Sequence, residues 1–289
     1  MGTAWHRYNP PQPCATGRFP ESPVNASDNA RPASTLARAF EVLELLAVEH
    51  PLLRVEDVMS RLGYTRSTAY RYVKELCDAG LLAPSSGGMY ALGPRIVELE
   101  RMLVLTDPLY LAGRKVLPAA REPGSVLLLH NLYRDKVLCI YKEGPDSLEY
   151  RGESIAVRRA RGMPFPLFRG AASLAMLAFF TPHRVRQTYL RSADEIAQAG
   201  LGRSWEEFRR TLAAIRRSGY ATSRSQITPN LAGVAVPIFL PGERKVIGSL
   251  ARAFPAELLT PEMERECLGR LSAAAESIAE EFVEAAGDG

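Results

Sequence analysis

The sequence predicts an α+β protein: an N-terminal winged helix-turn-helix domain, a linker helix, and a larger C-terminal domain of mixed strands and helices. Three observations predict it. Residues 55–92 read as helix, tight turn, helix and short hairpin. Residues 94–107 form one amphipathic stretch between Pro94 and Pro108. From about residue 109 onward the pattern changes, and short apolar runs that read as strands are followed by helical patterns. At 289 residues the chain has room for two domains, and 46% hydrophobic with 24% charged residues is an ordinary globular composition.

Residues 1–33 carry Pro10, Pro11, Pro13, Pro20, Pro23 and Pro32 and no apolar period, and are expected to be a disordered tail. The DNA-binding domain is expected over 34–93. Its first helix is expected from about Ser34 to Val48, with Leu36, Phe40, Leu43 and Ala47 as the buried stripe. A second helix covers about Val55 to Leu62, with Val55, Val58, Met59 and Leu62 inward. Gly63 supplies the tight turn by taking a positive φ. Thr65 N-caps a third helix, which ends at Gly80. Leu81 to Leu92 then reads as strand, turn, strand, with Ser85-Ser86-Gly87-Gly88 at the tip.

Pro94 opens the linker helix, since a first-turn residue needs no N–H partner, and Pro108 closes it. Ile96, Leu99, Met102 and Leu103 give it an apolar face that needs a partner. The C-terminal domain is expected over 108–289. Strands are expected at Ser125–Leu129 and Lys136–Tyr141, and helices near 171–180, 183–191 and 204–218. Ser204-Trp205-Glu206-Glu207 has the capping-box pattern. Gly233–Leu240 and Lys245–Ala251 read as paired strands across Pro241-Gly242-Glu243. A last helix runs from Thr260-Pro261-Glu262 to about Ala285, with Cys267, Leu268, Leu271, Ala275, Ile278 and Phe282 on its inner face.

The four cysteines, Cys14, Cys77, Cys139 and Cys267, are too dispersed for a CxxC metal site or a small disulfide framework, so reduced thiols are expected. No apolar run approaches the roughly 18 residues of a membrane span. The first residues lack a charged-then-apolar leader. A cytoplasmic protein with no membrane partner and no cofactor is the expectation.

A net charge of +4 is mild, but its placement is not random. Arg61, Arg66, Arg71 and Lys74 fall within 61–74, where there is no acid. On the third helix Ala69, Tyr72, Val73 and Leu76 recur at i, i+3, i+4 and i+7, which is a packing stripe. Arg66, Ser67, Tyr70, Arg71 and Lys74 lie on the other face, offering cations, hydroxyls and an aromatic to a major groove. These are the candidate contacts to double-stranded operator DNA.

From about Ser34 to Phe282 the chain resembles the IclR family of bacterial transcriptional regulators. Four pieces carry the resemblance: Thr35-Leu36-Ala37-Arg38-Ala39-Phe40-Glu41-Val42-Leu43; Arg66-Ser67-Thr68-Ala69-Tyr70-Arg71, against a signature written K-S-T-x-x-R; Tyr90-Ala91-Leu92-Gly93-Pro94-Arg95; and Ser218-Gly219-Tyr220-Ala221 followed by Gly233-Val234-Ala235-Val236-Pro237-Ile238. The resemblance implies a GAF-like C-terminal effector domain, assembly as a homodimer or homotetramer, and control of catabolic genes by small molecules, often carboxylic acids. It adds Thr68 to the DNA contacts. It places the effector between the loop before the 171–180 helix and the late strands, which points to Met163, Phe165, Leu167, Gly170, Ala171, Gln226, Gly233 and Ser249. The chain departs from the family pattern here: Gln226 stands where Glu is frequent, Asn230 where Gly is frequent, and Gly233 where a small polar residue is common. Pro166-Leu167-Phe168-Arg169-Gly170 replaces P-L-H-A-T. Phe165 and Phe168 then make the pocket more aromatic, favouring an aromatic or hydrophobic acid, and Arg169 could pair with a carboxylate or face solvent.

Two other classes compete. An enzyme of the GAF-like domain acting on a small metabolite would need dispersed catalytic residues, because His6, His50, His130 and His183 show no metal spacing and no GxSxG, Walker or GxGxxG motif occurs. A protein-interaction module would use the helix-turn-helix as a dimer surface.

Overall fold

The computed structural model describes residues 34–47, 49–157 and 161–287. The tail expected over 1–33 lies outside the described residues. The chain divides into two compact units between Val97 and Glu98.

In the first unit α1 (Thr35–Glu44), α2 (Val55–Leu62) and α3 (Arg66–Asp78) pack around Val42, Val58, Ala69, Tyr72, Val73 and Leu76. The stripe expected on α3 is the buried one. That on α1 is not: Ala39 and Val42 are buried, whereas Leu36 and Phe40 are 66% and 47% exposed. Apolar residues occupy more than one side of α1, and the smaller ones, Ala39 and Val42, fit against α3. The helix also stops at Glu44, short of the expected Val48. Gly63 takes φ 68° at the end of α2, and the Thr65 hydroxyl accepts the Thr68 amide at 3.4 Å to start α3. Between them, the Tyr64 hydroxyl donates to Glu41 and ties the turn to α1. The wing is β1 (Leu82–Pro84) paired with β2 (Tyr90–Leu92), and Gly87 and Gly88 turn its tip with positive φ. Leu53 bridges to Tyr90 through paired 2.8 Å amide bonds, adding a third rung.

Helix α4 (Arg95–Thr106) straddles the division. Pro108 ends it but also begins α5 (Pro108–Val116), a helix not expected from the sequence; the Asp107 carboxylate accepts the Tyr110 amide at 2.7 Å as its cap. Proline at a first helical position is a start as much as a stop.

The second unit is built on a six-stranded antiparallel sheet. In chain order its elements are β3 (Val126–Tyr133), β4 (Lys136–Glu143), the separate hairpin β5 (Ser147–Tyr150) and β6 (Glu153–Ala156), β7 (Pro164–Pro166), α6 (Ala171–Leu177), α7 (Pro182–Gln198), α8 (Trp205–Ser218), β8 (Ala221–Arg224), β9 (Leu231–Phe239), β10 (Val246–Pro255) and α9 (Pro261–Gly287). The large sheet runs β7-β4-β3-β10-β9-β8. The paired strands expected late in the sequence are β9 and β10, whereas β5, β6, β7 and β8 were not foreseen. At the start of α8 the Ser204 hydroxyl caps the Glu207 amide, but the Glu207 carboxylate reaches the Arg203 amide at 2.7 Å instead of closing the expected box on Ser204.

Each face of the sheet buries its own core, as the two-residue period of strands requires. On one side Leu127, Leu129, Val234, Val236, Leu250 and Phe254 meet α5 and α9, through Cys267, Leu271 and Ile278. A network joins α9 to β10 on this side: the largely buried Arg252 and Glu122 pair, Glu122 also pairs with the exposed Arg270 of α9, and Arg252 donates to Ser125 at 3.0 Å. On the other side Leu128, Ala235, Ala251 and Ala253 meet α6, whose seven residues are all buried, with α7 and α8 outside it.

Candidate functional site

Two sites emerge. The first is the outer face of α3. Arg66, Ser67, Tyr70, Arg71 and Lys74 are exposed and Thr68 is half-buried, while the opposite stripe is at most 4% exposed. Arg66 lies 5.6 Å over the Tyr70 ring, and Arg71 lies 5.0 Å over Tyr72 and 3.9 Å from Glu75. These exposed contacts are weak enough to be exchanged for phosphate or base contacts. Thr68 is engaged locally, its hydroxyl taking a 2.9 Å bond from Thr65. The Ser67 hydroxyl sits 3.2 Å from the Thr65 hydroxyl.

The second site is a cavity of about 70 Å³ on the α6 side of the sheet. That is several times the roughly 10–15 Å³ a single water needs but about half the roughly 150 Å³ of a cavity that holds benzene, so an aromatic guest requires the walls to move apart. Leu128 and His130 of β3, Phe165 of β7, Ala171 and Ala172 of α6, and Ala251 and Ala253 of β10 form its walls. The segment from Ser223 to Gly233 closes it with Ser223, Gln226, Ile227, Thr228 and Leu231. Phe165 packs edge-on against His130 at 5.5 Å. Gly170 has φ 81°, a conformation that favours glycine, and a Cβ there would lie 2.2 Å from the movable Ile227 Cδ1. The Gly170 amide donates to Gln226 Oε1 at 3.1 Å. Asn230, at the position where the family favours Gly, takes φ 61°.

Of the effector residues expected from the sequence, the structure brings Phe165, Ala171, Gln226 and Gly233 to this cavity, with Gly170 hydrogen-bonded at its edge. Three do not line it. Met163 is half-buried ahead of β7. Leu167 turns into the core because β7 ends at Pro166, and with Phe168 it faces α7 at Arg184 and Thr188. Ser249 is fully buried two residues before Ala251, cross-strand from His130, and its hydroxyl has no hydrogen-bond partner among the described residues. Phe168 therefore adds no aromatic wall, and Arg169 is not a lining residue. His130, Ser223 and Thr228 were missed. A lone His in the apolar run of β3, and hydroxyls flanking Gln226, were the available signals.

Residues 35–85 match the model of the IclR helix-turn-helix domain, and residues 120–280 match that of the bacterial transcriptional regulator IclR C-terminal domain. The chain belongs to the IclR family. It is 24% identical over 221 residues to the HTH-type transcriptional regulator KipR of Bacillus subtilis, covering 76% of this chain and 85% of that protein. Its fold is that of a candidate IclR transcriptional regulator from Silicibacter sp. TM1040, with TM-score 0.70 and 24% identity over 86% of this chain and 96% of that one. An IclR homologue from Microbacterium hydrocarbonoxydans, solved with 4-hydroxybenzoate, has TM-score 0.64 and 23% identity, covering 87% and 100%. The IclR models and KipR describe transcriptional regulators, not enzymes. As an IclR-type regulator with a helix-turn-helix, this chain is a DNA-binding protein.

No group of three or more metal-ligating side chains occurs among the described residues, and no described helix is long and apolar enough to cross a membrane. Cys139, cross-strand from His130, is fully buried, and burial pushes its thiol up to about 12, which suits a packed core thiol rather than a nucleophile.

Proposed function

We propose that this regulator binds double-stranded operator DNA as a homodimer or homotetramer in the cytoplasm and controls a catabolic operon in response to a small carboxylic acid, aromatic or otherwise hydrophobic. The observation that carries the effector class is the cavity lining. Its walls are apolar, its polar groups among the described residues are the His130, Ser223, Gln226 and Thr228 side chains, and no described Asp or Glu is among them. An acid entering meets hydrogen-bond donors and no like charge. The Phe165 ring favours a flat apolar body. The ligand of the Microbacterium homologue belongs to the same class.

The reader uses α3. Its outer face carries cations and hydroxyls and few apolar side chains, which suits phosphate and base contacts better than a protein dimer surface. The dimer surface lies elsewhere. Leu36 and Phe40 of α1 are exposed, as are Val97, Leu99, Met102, Leu103 and Leu105 of α4. A second copy would cover such side chains. Two recognition helices would then meet half-sites about 34 Å apart.

A route from cavity to linker is built into one segment. Phe165 lines the cavity, and Arg161, four positions earlier, pairs with Glu100 of α4 while donating to the Ile140 carbonyl at 2.8 Å. A ligand that displaces Phe165 would move Arg161 and bias α4. Half-site spacing is strict, so a small shift would change operator affinity.

Selection of bound genomic fragments would yield the operator. Gel shifts on that fragment with a panel of aliphatic and aromatic acids would then test the effector class. Aromatic acids are expected to change the midpoint, and affinity is expected to fall steeply with salt. A response confined to small aliphatic acids would overturn the aromatic reading, and a salt-insensitive complex would overturn the phosphate contacts.

A further inference from the structure

We infer that Gly93 is a positioning residue for operator recognition: it locks the end of the recognition helix α3 to the start of the linker helix α4, so that the two turn together and two copies present α3 at one separation. This rests on the reading of the regulator as a dimer that meets two half-sites.

The end of α3 and the start of α4 share backbone hydrogen bonds. Helix α3 closes on Gly80, which takes φ 72° while the Leu81 amide donates back to the Leu76 carbonyl at 2.9 Å. The Gly80 carbonyl accepts the Arg95 amide at 3.1 Å, one of the donors that a helix start leaves without an internal partner. Pro94, just before it, has no N–H to satisfy. The Leu81 carbonyl accepts the Gly93 amide at 2.8 Å, which carries the β1–β2 pairing on to the joint. These bonds hold Gly93, which is buried, against Gly80 backbone to backbone. A Cβ on Gly93 would stand 2.1 Å from the Gly80 carbonyl oxygen, 2.7 Å from its carbon and 2.8 Å from the Leu82 carbonyl oxygen. All three are main-chain atoms, so no side chain can rotate out of the way. Restoring an ordinary separation of about 3.5 Å would move the start of α4 off the end of α3 by more than about an ångström. The first compact unit extends to Val97, so the joint and the first residues of α4 lie inside it. Its core is built from other residues, Val42, Val58, Tyr72 and Leu76 among them. Helix α3 can therefore form without the joint, and the joint sets where it points.

The test is a gel-shift series with the full chain on the operator fragment selected from genomic DNA, on the same fragment with one base pair added or removed between its half-sites, and on a single half-site. The wild type is expected to lose at least about tenfold in affinity on either altered spacing, since each base pair both advances and turns a half-site. Gly93→Ala is expected to weaken binding to the natural operator at least about tenfold and to flatten or displace the spacing optimum, while its affinity for the single half-site stays within about threefold. Val58→Ala, a core substitution away from the joint, is the control for stability alone. It is expected to lower the unfolding midpoint of the first unit and to keep the wild-type spacing optimum. Should Gly93→Ala not fold, Gly80→Ala serves, because its added Cβ meets Arg95 Cβ at 3.3 Å across the same joint, and it is expected to change the profile in the same direction. A wild-type spacing profile in the folded joint variant, or an equal loss on half-site and whole operator, would overturn the role of Gly93 and leave the dimer reading standing. A wild type indifferent to spacing would overturn the dimer reading and this inference with it.

Discussion

On α3 every candidate DNA contact comes from one thirteen-residue helix, and all but the half-buried Thr68 are exposed. The cavity instead gathers Leu128, Phe165, Ala171, Gln226 and Ala253 from five separate parts of the second unit and points them inward. The first surface is rigid because its other side is buried. It can change partners without changing shape, because solvent already covers the contacts. The apolar cavity side chains Leu128, Phe165, Ala171 and Ala253 belong to the same core that holds the sheet to α6, so ligand binding and folding share residues. Mutations should therefore separate function from stability on α3 and fail to separate them around the cavity.

The largest expected effect tests the cavity side of that contrast. Phe165 is 2% exposed, so Phe165→Ala is expected to destabilise the second unit by about 3–5 kcal/mol. Scanning calorimetry should show one transition lowered and the helix-turn-helix transition unmoved. A loss of effector response with no change in either transition would mean that ligand contact and core packing are separable after all.

Next comes Arg71→Ala. The side chain is exposed, and its ion pair and ring contact are surface contacts, so stability should hold within about 0.5 kcal/mol. Operator affinity should fall by about 1–3 kcal/mol if Arg71 reads a base, and the salt slope should drop by about one if it meets a phosphate. Gel shifts at several salt concentrations measure both. Unchanged affinity would remove Arg71 from the interface.

A smaller effect is expected at Thr65, whose hydroxyl caps α3. Thr65→Ala is expected to cost the first unit about 1 kcal/mol, read as a lower denaturation midpoint at unchanged slope. Its effect on operator affinity should be smaller than that of Arg71→Ala, because the cap orders the helix but supplies no cation.

The same contrast explains what was legible beforehand. A site on one helix is written in local periodicity. Ala69, Tyr72, Val73 and Leu76 mark the buried side, Gly63 and Thr65 mark the turn and the start, and the outer face follows. Periodicity misleads where a helix has apolar residues all round: on α1 it selected Leu36 and Phe40, but packing chose Ala39 and Val42. The cavity depends on sheet order, which brings β3 beside β10 and β9 beside β8. Nothing in the local sequence joins His130 to Ser223. Family likeness reached Phe165, Ala171, Gln226 and Gly233, but it carried Leu167 along as well. Where β7 ends decides that residue's direction, and Pro166 ends it one position earlier.

The smallest expected effect concerns the connection between the two kinds of site. Arg161 and Glu100 are 38% and 45% exposed, so their pair contributes at most about 1 kcal/mol to any state of the protein. If the pair differs between liganded and free protein, removing it can change the coupling between effector and operator by no more than about fivefold. Glu100→Gln removes the pair while leaving the Arg161 bond to Ile140 and its place 5.0 Å over Tyr110. The ratio of operator affinities with and without effector should shrink, while each affinity taken alone stays within about twofold. Arg161→Gln should do the same or slightly more, since it also loses the contacts to Ile140 and Tyr110. The double variant should then match Arg161→Gln, because the two residues act through one contact. Additive effects of the two substitutions would show independent roles. An unchanged ratio in all three would place the route from cavity to α4 outside this pair.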